Sequence, residues 1–220
     1  FFLIKQPEIT TAKIFTHQTR LLRFNRLNNN INMKKLFSLL IVFQLFFIAL
    51  VAQSGNTPPV DKSPMDMSYY PNNYPVLKIQ DKINEPVIAR VVYSRPQKAG
   101  RVVFGDLVKY GELWRMGANE ATEIEFYKNV TTGGKKITKG RYTLYAIVNE
   151  NTWTIIINKD VDTWGAFKYD AKKDIARTTV PVQKTDTTLE SLAMIFEKTN
   201  SGFNLIIAWE NIKAALPVTF

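Results

Sequence analysis

Apolar and polar residues alternate over long stretches of the second half of the chain. Every second side chain is apolar over Thr122–Tyr127, Arg141–Val148 and Phe203–Trp209. A period of two places apolar side chains on one face of an extended chain, so these segments are predicted to be half-buried strands. Further strands are expected at Val87–Tyr93, Trp153–Asn158, Ile175–Val182, Leu189–Glu197 and Ile212–Val218.

Turn signals separate these segments at short intervals, and they contain Gly, Asn or Ser. Arg141–Val148 and Trp153–Asn158 are expected to pair as a hairpin, and Pro181 predicts an edge strand or a bulge because it lacks a backbone N–H. Many short strands without a strong helical period favour an all-β fold, a single antiparallel β-sandwich, of which the jelly roll is one form. The turn signals are Gly133-Gly134, Lys139-Gly140, Asn149-Glu150-Asn151 and Asn200-Ser201-Gly202.

An apolar run behind a short basic head occupies residues 33–52. Met33, the first methionine, is followed by two lysines and then by Leu36–Ala52. This layout is typical of a secretory signal peptide, with cleavage expected after Ala52. The alternative, a permanent anchor, needs roughly 20 mainly apolar residues, and this run is shorter and interrupted by Ser38 and Gln44. We therefore expect a secreted or periplasmic protein with no stable membrane span after cleavage.

The regions on either side of this run differ in composition. Residues 1–32 have scattered basic residues and no clear apolar period, which indicates a non-native upstream extension. An organelle-targeting leader is the alternative, since Glu8 is the only acid there. Residues 53–74 are rich in Pro, Ser and Asn and are predicted to be a flexible linker. Residues 75–220 then form one domain of ordinary size.

The number and distribution of charged residues bear on whether the protein binds nucleic acid. The chain has 29 Lys and Arg against 19 Asp and Glu, a formal net charge of +10. Residues 1–52 hold seven of the basic residues and one acid, which leaves 22 and 18, a net charge of +4. Lys and Arg are spread along the rest of the chain, so no nucleic-acid partner is expected.

Cysteine is absent, and the single histidine, His17, lies before the predicted cleavage position. The mature domain therefore has no disulfide, no thiol nucleophile and no imidazole base or ligand. Catalysis would have to use carboxylate, Lys, Tyr, Ser or Arg, and a metal would need oxygen ligands. We expect no cofactor and no metal.

One segment has part of a calcium-loop pattern. Asn158, Asp160 and Asp162 have the spacing of the first three ligands. Thr163 occupies the position of the turn glycine, and Tyr169 that of the bidentate Glu, so a solvated turn is the better interpretation.

Further aromatic residues follow that segment. Trp164-Gly165, Phe167 and Tyr169 would extend a ligand groove if exposed, and would close one end of the sandwich if buried. Because large aromatic side chains usually belong to cores, burial is the favoured interpretation.

The longest irregular stretch, Arg95–Ala121, is the candidate site. A loop of this length in a compact domain is usually functional or misassigned, and a short strand at Arg101–Phe104 or a helical turn near Asp106 would account for part of it. An aromatic ring beside guanidinium, amide and carboxylate groups suits a sugar, since the ring covers apolar faces while the polar groups bind hydroxyls. The alternative is a structural loop, with Trp114 in the core and Arg115 paired with Glu120. The candidate ligand-binding residues are Arg95, Tyr110, Trp114, Arg115, Asn119 and Glu120.

That stretch also carries a motif, Trp114-Arg115-x-Gly117-Ala118-Asn119-Glu120, followed in order by Gly140-Arg141-Tyr142-Thr143-Leu144 and Trp209-Glu210. The motif resembles the signature of an uncharacterised bacterial family, the domain-of-unknown-function family 2911. The resemblance covers roughly Ser63 to Val218. It implies a β-rich secreted or envelope protein and implies no activity.

The sequence is compatible with three functions. The first is a non-enzymatic binding or envelope module for a polar ligand such as a glycan. This function is favoured over an enzyme because no motif identifies a substrate. The second is a carboxylate-dependent, glycosidase-like hydrolase that uses Glu120 with Glu112 or Glu210, at a carboxyl separation of roughly 5 to 10 Å. The third is a structural or partner-binding envelope protein without a polar cleft.

Overall fold

The computed structural model describes residues 33–44 and 57–220. Residues 33–44 form helix α1, inside the predicted signal sequence. Val60–Phe220 forms a compact unit of its own. Within the described ranges, no helix has both the length and the apolar character needed to cross a membrane. The predicted extension 1–32 and the expected cleavage position at Ala52 lie outside the described residues.

The regular structure of Val60–Phe220 consists almost entirely of antiparallel strands, which confirms the all-β prediction. Its one α-helix, α2, covers Tyr74–Ile79, and a single 3-10 turn covers Ala171–Lys173. The strands are β1 Met65–Tyr70, β2 Ala89–Ser94, β3 Leu113–Trp114, β4 Glu123–Phe126, β5 Val130–Thr132, β6 Lys135–Ile137, β7 Gly140–Val148, β8 Thr152–Asn158, β9 Asp174–Thr199 and β10 Gly202–Thr219.

Hydrogen bonding joins these strands in the order β1-β2-β4-β7-β8-β9-β10-β5-β6, with β3 paired to β7. The first part of β9 pairs with β8, and its last part pairs with the start of β10. β9 is 26 residues long and β10 is 18. Because different parts of β9 pair with β8 and with β10, these long strands connect the two layers of a sandwich-like fold. The predicted hairpin between β7 and β8 is confirmed.

Two pairs of predicted strands turn out to be continuous. Ile175–Val182 and Leu189–Glu197 both belong to β9, and the two predicted strands after residue 202 both belong to β10. Register shifts beside Glu210 interrupt the pairing of β9 with β10 without ending either strand. Pro181 lies opposite Thr152, the first residue of β8, so its missing N–H falls where that ladder ends.

Part of the predicted linker 53–74 is in fact a strand. β1 pairs over six residues with β2, and Tyr70 at its end is 7% exposed and donates a hydrogen bond to the Gly202 carbonyl oxygen. Ser68 Oγ also donates to the carbonyl oxygen of Met194 in β9. The linker prediction is therefore wrong for residues 65–70, because strand pairing outweighs the polar composition there.

An aromatic cluster fills the core next to the long Arg95–Ala121 segment. Trp114 and Trp209 stack at 6.3 Å between ring centroids, and Trp153 meets Trp114 edge-on at 5.8 Å. Phe104 from the same segment lies 4.9 Å from Trp153. Since Trp114 and Phe104 are 6% and 7% exposed, much of this segment closes the sandwich.

Candidate functional site

The structure separates the residues predicted to bind a ligand. Trp114 is in the aromatic core, so it does not form the exposed platform that was expected. Its backbone pairs with Ala146 of β7, and this register points the indole inward. Trp114 is therefore a core residue, as the alternative interpretation of the segment predicted.

Arg95 makes contacts within the fold, and Tyr110 lies at the surface against Gly105. The Arg95 guanidinium donates from Nε to the Leu192 carbonyl oxygen at 3.1 Å, and its Nη1 lies 3.1 Å from the Asp66 carboxylate. It therefore ties β1, β2 and β9 together. Tyr110 is 45% exposed, and its ring lies against Gly105, where an added Cβ would come within 2.9 Å of Tyr110 Cε2.

The predicted carboxylate pairs are not brought together at a cleft. Glu210 is mostly buried, and its carboxylate binds Lys98 Nζ at 3.1 Å and accepts from the Val103 backbone N–H at 3.3 Å. Glu112 is exposed on the irregular segment. Glu120 lines a cleft to which neither of these two residues contributes.

That cleft lies on the outer face of β2 and β4, where Val92 and Glu123 are cross-strand partners. Its volume is about 140 Å³. Backbone pairing builds its wall, because Ala121 N–H donates to the Thr163 carbonyl oxygen at 3.0 Å. The lining residues are Met65, Val92, Glu120, Ala121, Glu123, Asp162 and Thr163.

The rim of the cleft carries an exposed tryptophan. Trp164 forms an isolated antiparallel bridge with Glu120, which places the two side chains next to each other. Trp164 is 62% exposed, and Phe167, further along the same loop, is 86% exposed. The expectation that these aromatic residues are buried is wrong for both. Gly165 between them has φ +67, and its N–H donates to the Asn119 carbonyl oxygen at 2.9 Å.

The carboxylates in the cleft differ in how they are bound. Arg141 lies 3.4 Å from the Glu123 carboxylate and 2.6 Å from that of Asp162, and Glu123 also accepts the Asp162 N–H at 2.7 Å. Over residues 57–220, Glu120 makes no side-chain hydrogen bond or ion pair with another residue. Its oxygens are therefore available to a ligand, while Glu123 and Asp162 are held by Arg141.

Arg115 and Asn119 flank this region without pairing to Glu120. The Asn119 amide donates to Asp61 at 3.0 Å. Arg115 directly follows Trp114, the last residue of β3, and is partly buried. Its Nε is buried and finds no hydrogen-bond partner among the residues that the structure describes, and desolvation lowers the pKa of the guanidinium. The predicted Arg115–Glu120 pair is not formed.

Tyr169 fixes the other end of the Trp164 loop. Its ring meets Tyr145 edge-on at 5.1 Å, and its hydroxyl donates to the Asp174 carboxylate at 2.6 Å while accepting from Arg177 Nη2 at 2.7 Å. Burial, followed by the hydrogen bond and the negative charge of Asp174, raises the pKa of Tyr169 to about 12, with Arg177 opposing. Tyr169 is thus the one aromatic residue of this loop that packs inward.

The raised pKa of Tyr169 predicts a pH dependence. Because the folded pKa, about 12, exceeds the ordinary value of 10, the stability from this contact is complete below pH 10 and is lost as the pH rises towards 12. NMR titration of ¹³C-labelled tyrosine rings, assigned with Tyr169→Phe, should give a midpoint near 12 for this residue. A midpoint of 10 in the folded protein would contradict the contact with Asp174.

The residues with calcium-loop spacing are used in internal contacts. Asn158 Oδ1 accepts the Asp160 N–H at 2.9 Å, Asp160 pairs with Lys173 at 2.8 Å, and Asp162 pairs with Arg141. In the described residues, no group of three or more His, Cys, Asp or Glu side chains is arranged to hold a metal ion.

Comparison with known proteins gives a family and nothing more specific. The model of a family described as "Protein of unknown function (DUF2911)" matches residues 75–218. No curated protein matches the chain, and no solved structure does.

Proposed function

The chain belongs to the DUF2911 family of proteins of unknown function, and from its surface geometry we propose that it is a secreted or periplasmic binding module for a polar ligand such as a glycan. The ligand would bind in the Glu120 cleft, against Trp164. The exported location is supported by the basic head and apolar run of residues 33–52, part of which forms α1.

The Glu120–Trp164 pair is the observation that carries this proposal. An exposed indole can cover the apolar C–H face of a sugar ring, and an adjacent carboxylate can accept its hydroxyl hydrogens. Both side chains are exposed and are cross-strand neighbours. An exposed ring of this size beside an unpaired acceptor presents an apolar face and a hydrogen-bond acceptor to the same ligand.

The size and charge of the cleft restrict the ligand. Its volume, about 140 Å³, is below the roughly 300–1,000 Å³ of pockets that enclose small molecules, so it would hold one ring or an end group of a longer ligand. Three carboxylates, those of Glu120, Glu123 and Asp162, line it, and Arg141 is the basic residue bound to two of them. This balance favours a neutral or cationic ligand.

A carboxylate-dependent hydrolase is the second candidate, because Glu120 shares the cleft with Glu123 and Asp162. Arg141 forms ion pairs with Glu123 and Asp162, whereas Glu120 has no ionic partner within residues 57–220. Hydrolysis of a bound oligosaccharide by the wild type, with all turnover lost in Glu120→Gln, would select this candidate over simple binding.

A glycan array followed by affinity measurement tests the binding proposal. For the oligosaccharide that binds most strongly on the array, Trp164→Ala is expected to weaken binding at least tenfold, because the ligand loses its aromatic contact. Tyr110→Ala removes a comparably exposed ring from another surface and should leave the affinity unchanged. Wild-type affinity in Trp164→Ala, or no ligand on the array, would overturn the proposal.

A further inference from the structure

A second surface, on the β5–β6 hairpin and its flanks, has the opposite charge. The sequence has no Asp or Glu between Glu125 and Glu150. Four lysines in this interval are exposed, and in the part of the chain that the structure describes none of them forms an ion pair. The four are Lys128, Lys135, Lys136 and Lys139.

One of these lysines, Lys136, lines a concave site, and Lys128 lies over the ring of Phe220, another of its lining residues. A pocket of about 380 Å³ lies along the hairpin and is within the size range of small-molecule sites. Thr131 and Lys136 are direct cross-strand partners, and neither side chain has a hydrogen-bond partner in the described residues. The pocket is lined by Asn129, Val130, Thr131, Lys136, Ile137, Thr138 and Phe220.

Phe220 gives the pocket one aromatic wall. Its ring lies 6.1 Å from the rings of both Tyr70 and Phe203, which anchor it to the core, and it remains 44% exposed. The ammonium group of Lys128 lies 4.4 Å from the centroid of the same ring. A ligand entering the pocket would therefore meet an aromatic face, hydroxyl groups and ammonium groups together.

We infer that this pocket binds an anionic carbohydrate, through a sugar unit that carries a carboxylate or a phosphate. Ammonium groups without acidic partners bind such anions, while the Thr131 hydroxyl and the Phe220 ring suit the rest of a sugar. An anionic lipid surface would attract the lysines as well, but a bilayer is flat and cannot fill a polar concavity. The Glu120 cleft, being acidic, would reject this ligand, so the two sites are independent.

Titrations with two soluble polyanions test the inference. Polygalacturonate supplies carboxylates, polyphosphate supplies phosphates, and amylose is the uncharged control. The wild type is expected to bind at least one polyanion and not amylose. Lys128→Gln combined with Lys136→Gln should weaken that binding at least tenfold and reduce its salt dependence. The stronger polymer identifies the anion.

Matched controls keep the test specific. Lys184→Gln combined with Lys213→Gln removes the same charge from the paired region of β9 and β10, and should change binding less than twofold. Equal weakening in the two double variants would show non-specific attraction and overturn the inference. Tighter binding to phosphatidylglycerol vesicles than to either polymer would show that the ligand is an anionic membrane surface and would overturn the carbohydrate inference. Unchanged thermal unfolding verifies that each variant is folded.

Discussion

Replacing Trp209 with alanine is expected to lower the free energy of unfolding by about 3–5 kcal/mol. The side chain is 1% exposed, stacks on Trp114 and meets Phe104 edge-on at 6.3 Å. Its Nε1–H also donates to the Glu190 carbonyl oxygen at 3.1 Å. The substitution would leave a large cavity where the Arg95–Ala121 segment packs on the two layers, and it would remove the donor to Glu190.

Trp164→Ala is the matched control for this prediction. It removes the same side chain from a position that is 62% exposed, so the free energy of unfolding should change by no more than about 0.5 kcal/mol. Urea denaturation of the two variants at 25 °C measures both effects. Similar losses in both would contradict the division of the tryptophans between core and surface.

Replacing Gly202 with alanine is the second substitution with a large expected effect. Gly202 begins β10 after the turn from β9, and a Cβ there would overlap the Val218 carbonyl oxygen and lie 2.9 Å from the Thr219 Cα. Both obstacles are backbone, so they cannot move aside as a flexible side chain would. We expect a loss of about 1–3 kcal/mol or more.

Gly134→Ala separates crowding from backbone strain. Gly134 has φ +72, but no heavy atom lies within 4 Å of the added Cβ. Its substitution should therefore cost only the strain of a left-handed alanine, about 1 kcal/mol. Thermal and urea unfolding can compare the two variants. A Gly202→Ala protein as stable as the wild type would show that the two ends of β10 are not packed together.

The sequence predicted the fold well where strands are long and alternate regularly. β7 and β8 have these properties, and their hairpin is as expected. β1 was missed because the Pro, Ser and Asn around Met65–Tyr70 outweigh a short pattern whose partner is β2. The hairpin of β5 and β6 was marked only by its Gly133-Gly134 turn, since strands of three residues are too short to show a period.

The candidate site was harder to predict from the sequence, because tertiary packing decides which side chains are exposed to solvent. Trp114 and Trp164 both stand next to polar and glycine residues, yet pairing with β7 turns Trp114 inward, while the bridge to Glu120 holds Trp164 at the surface. Glu120 is the predicted ligand-binding residue that lines a cleft. Its neighbour Asp162 comes from a distant loop, which no local pattern reveals.

The Glu120 cleft and the pocket beside Lys136 would bind ligands of different charge. The Glu120 cleft has an excess of carboxylates, whereas the other pocket is lined by Lys136 and has Lys128 over its Phe220 ring. A polymer with both neutral and acidic sugar units would then have a binding position for each kind of unit. Because the two surfaces use different residues, variants at Trp164 and at Lys128 and Lys136 should affect different ligands.

Indole NMR is the most direct test of the proposal that ligands bind at Trp164. The four tryptophans of the chain give four Nε1–H signals, which can be followed while the oligosaccharide selected on the glycan array is added to the ¹⁵N-labelled protein. The Trp164 signal should shift progressively to saturation, while those of Trp114, Trp153 and Trp209 stay in place. A saturating titration that leaves the Trp164 signal unmoved would contradict the proposed site.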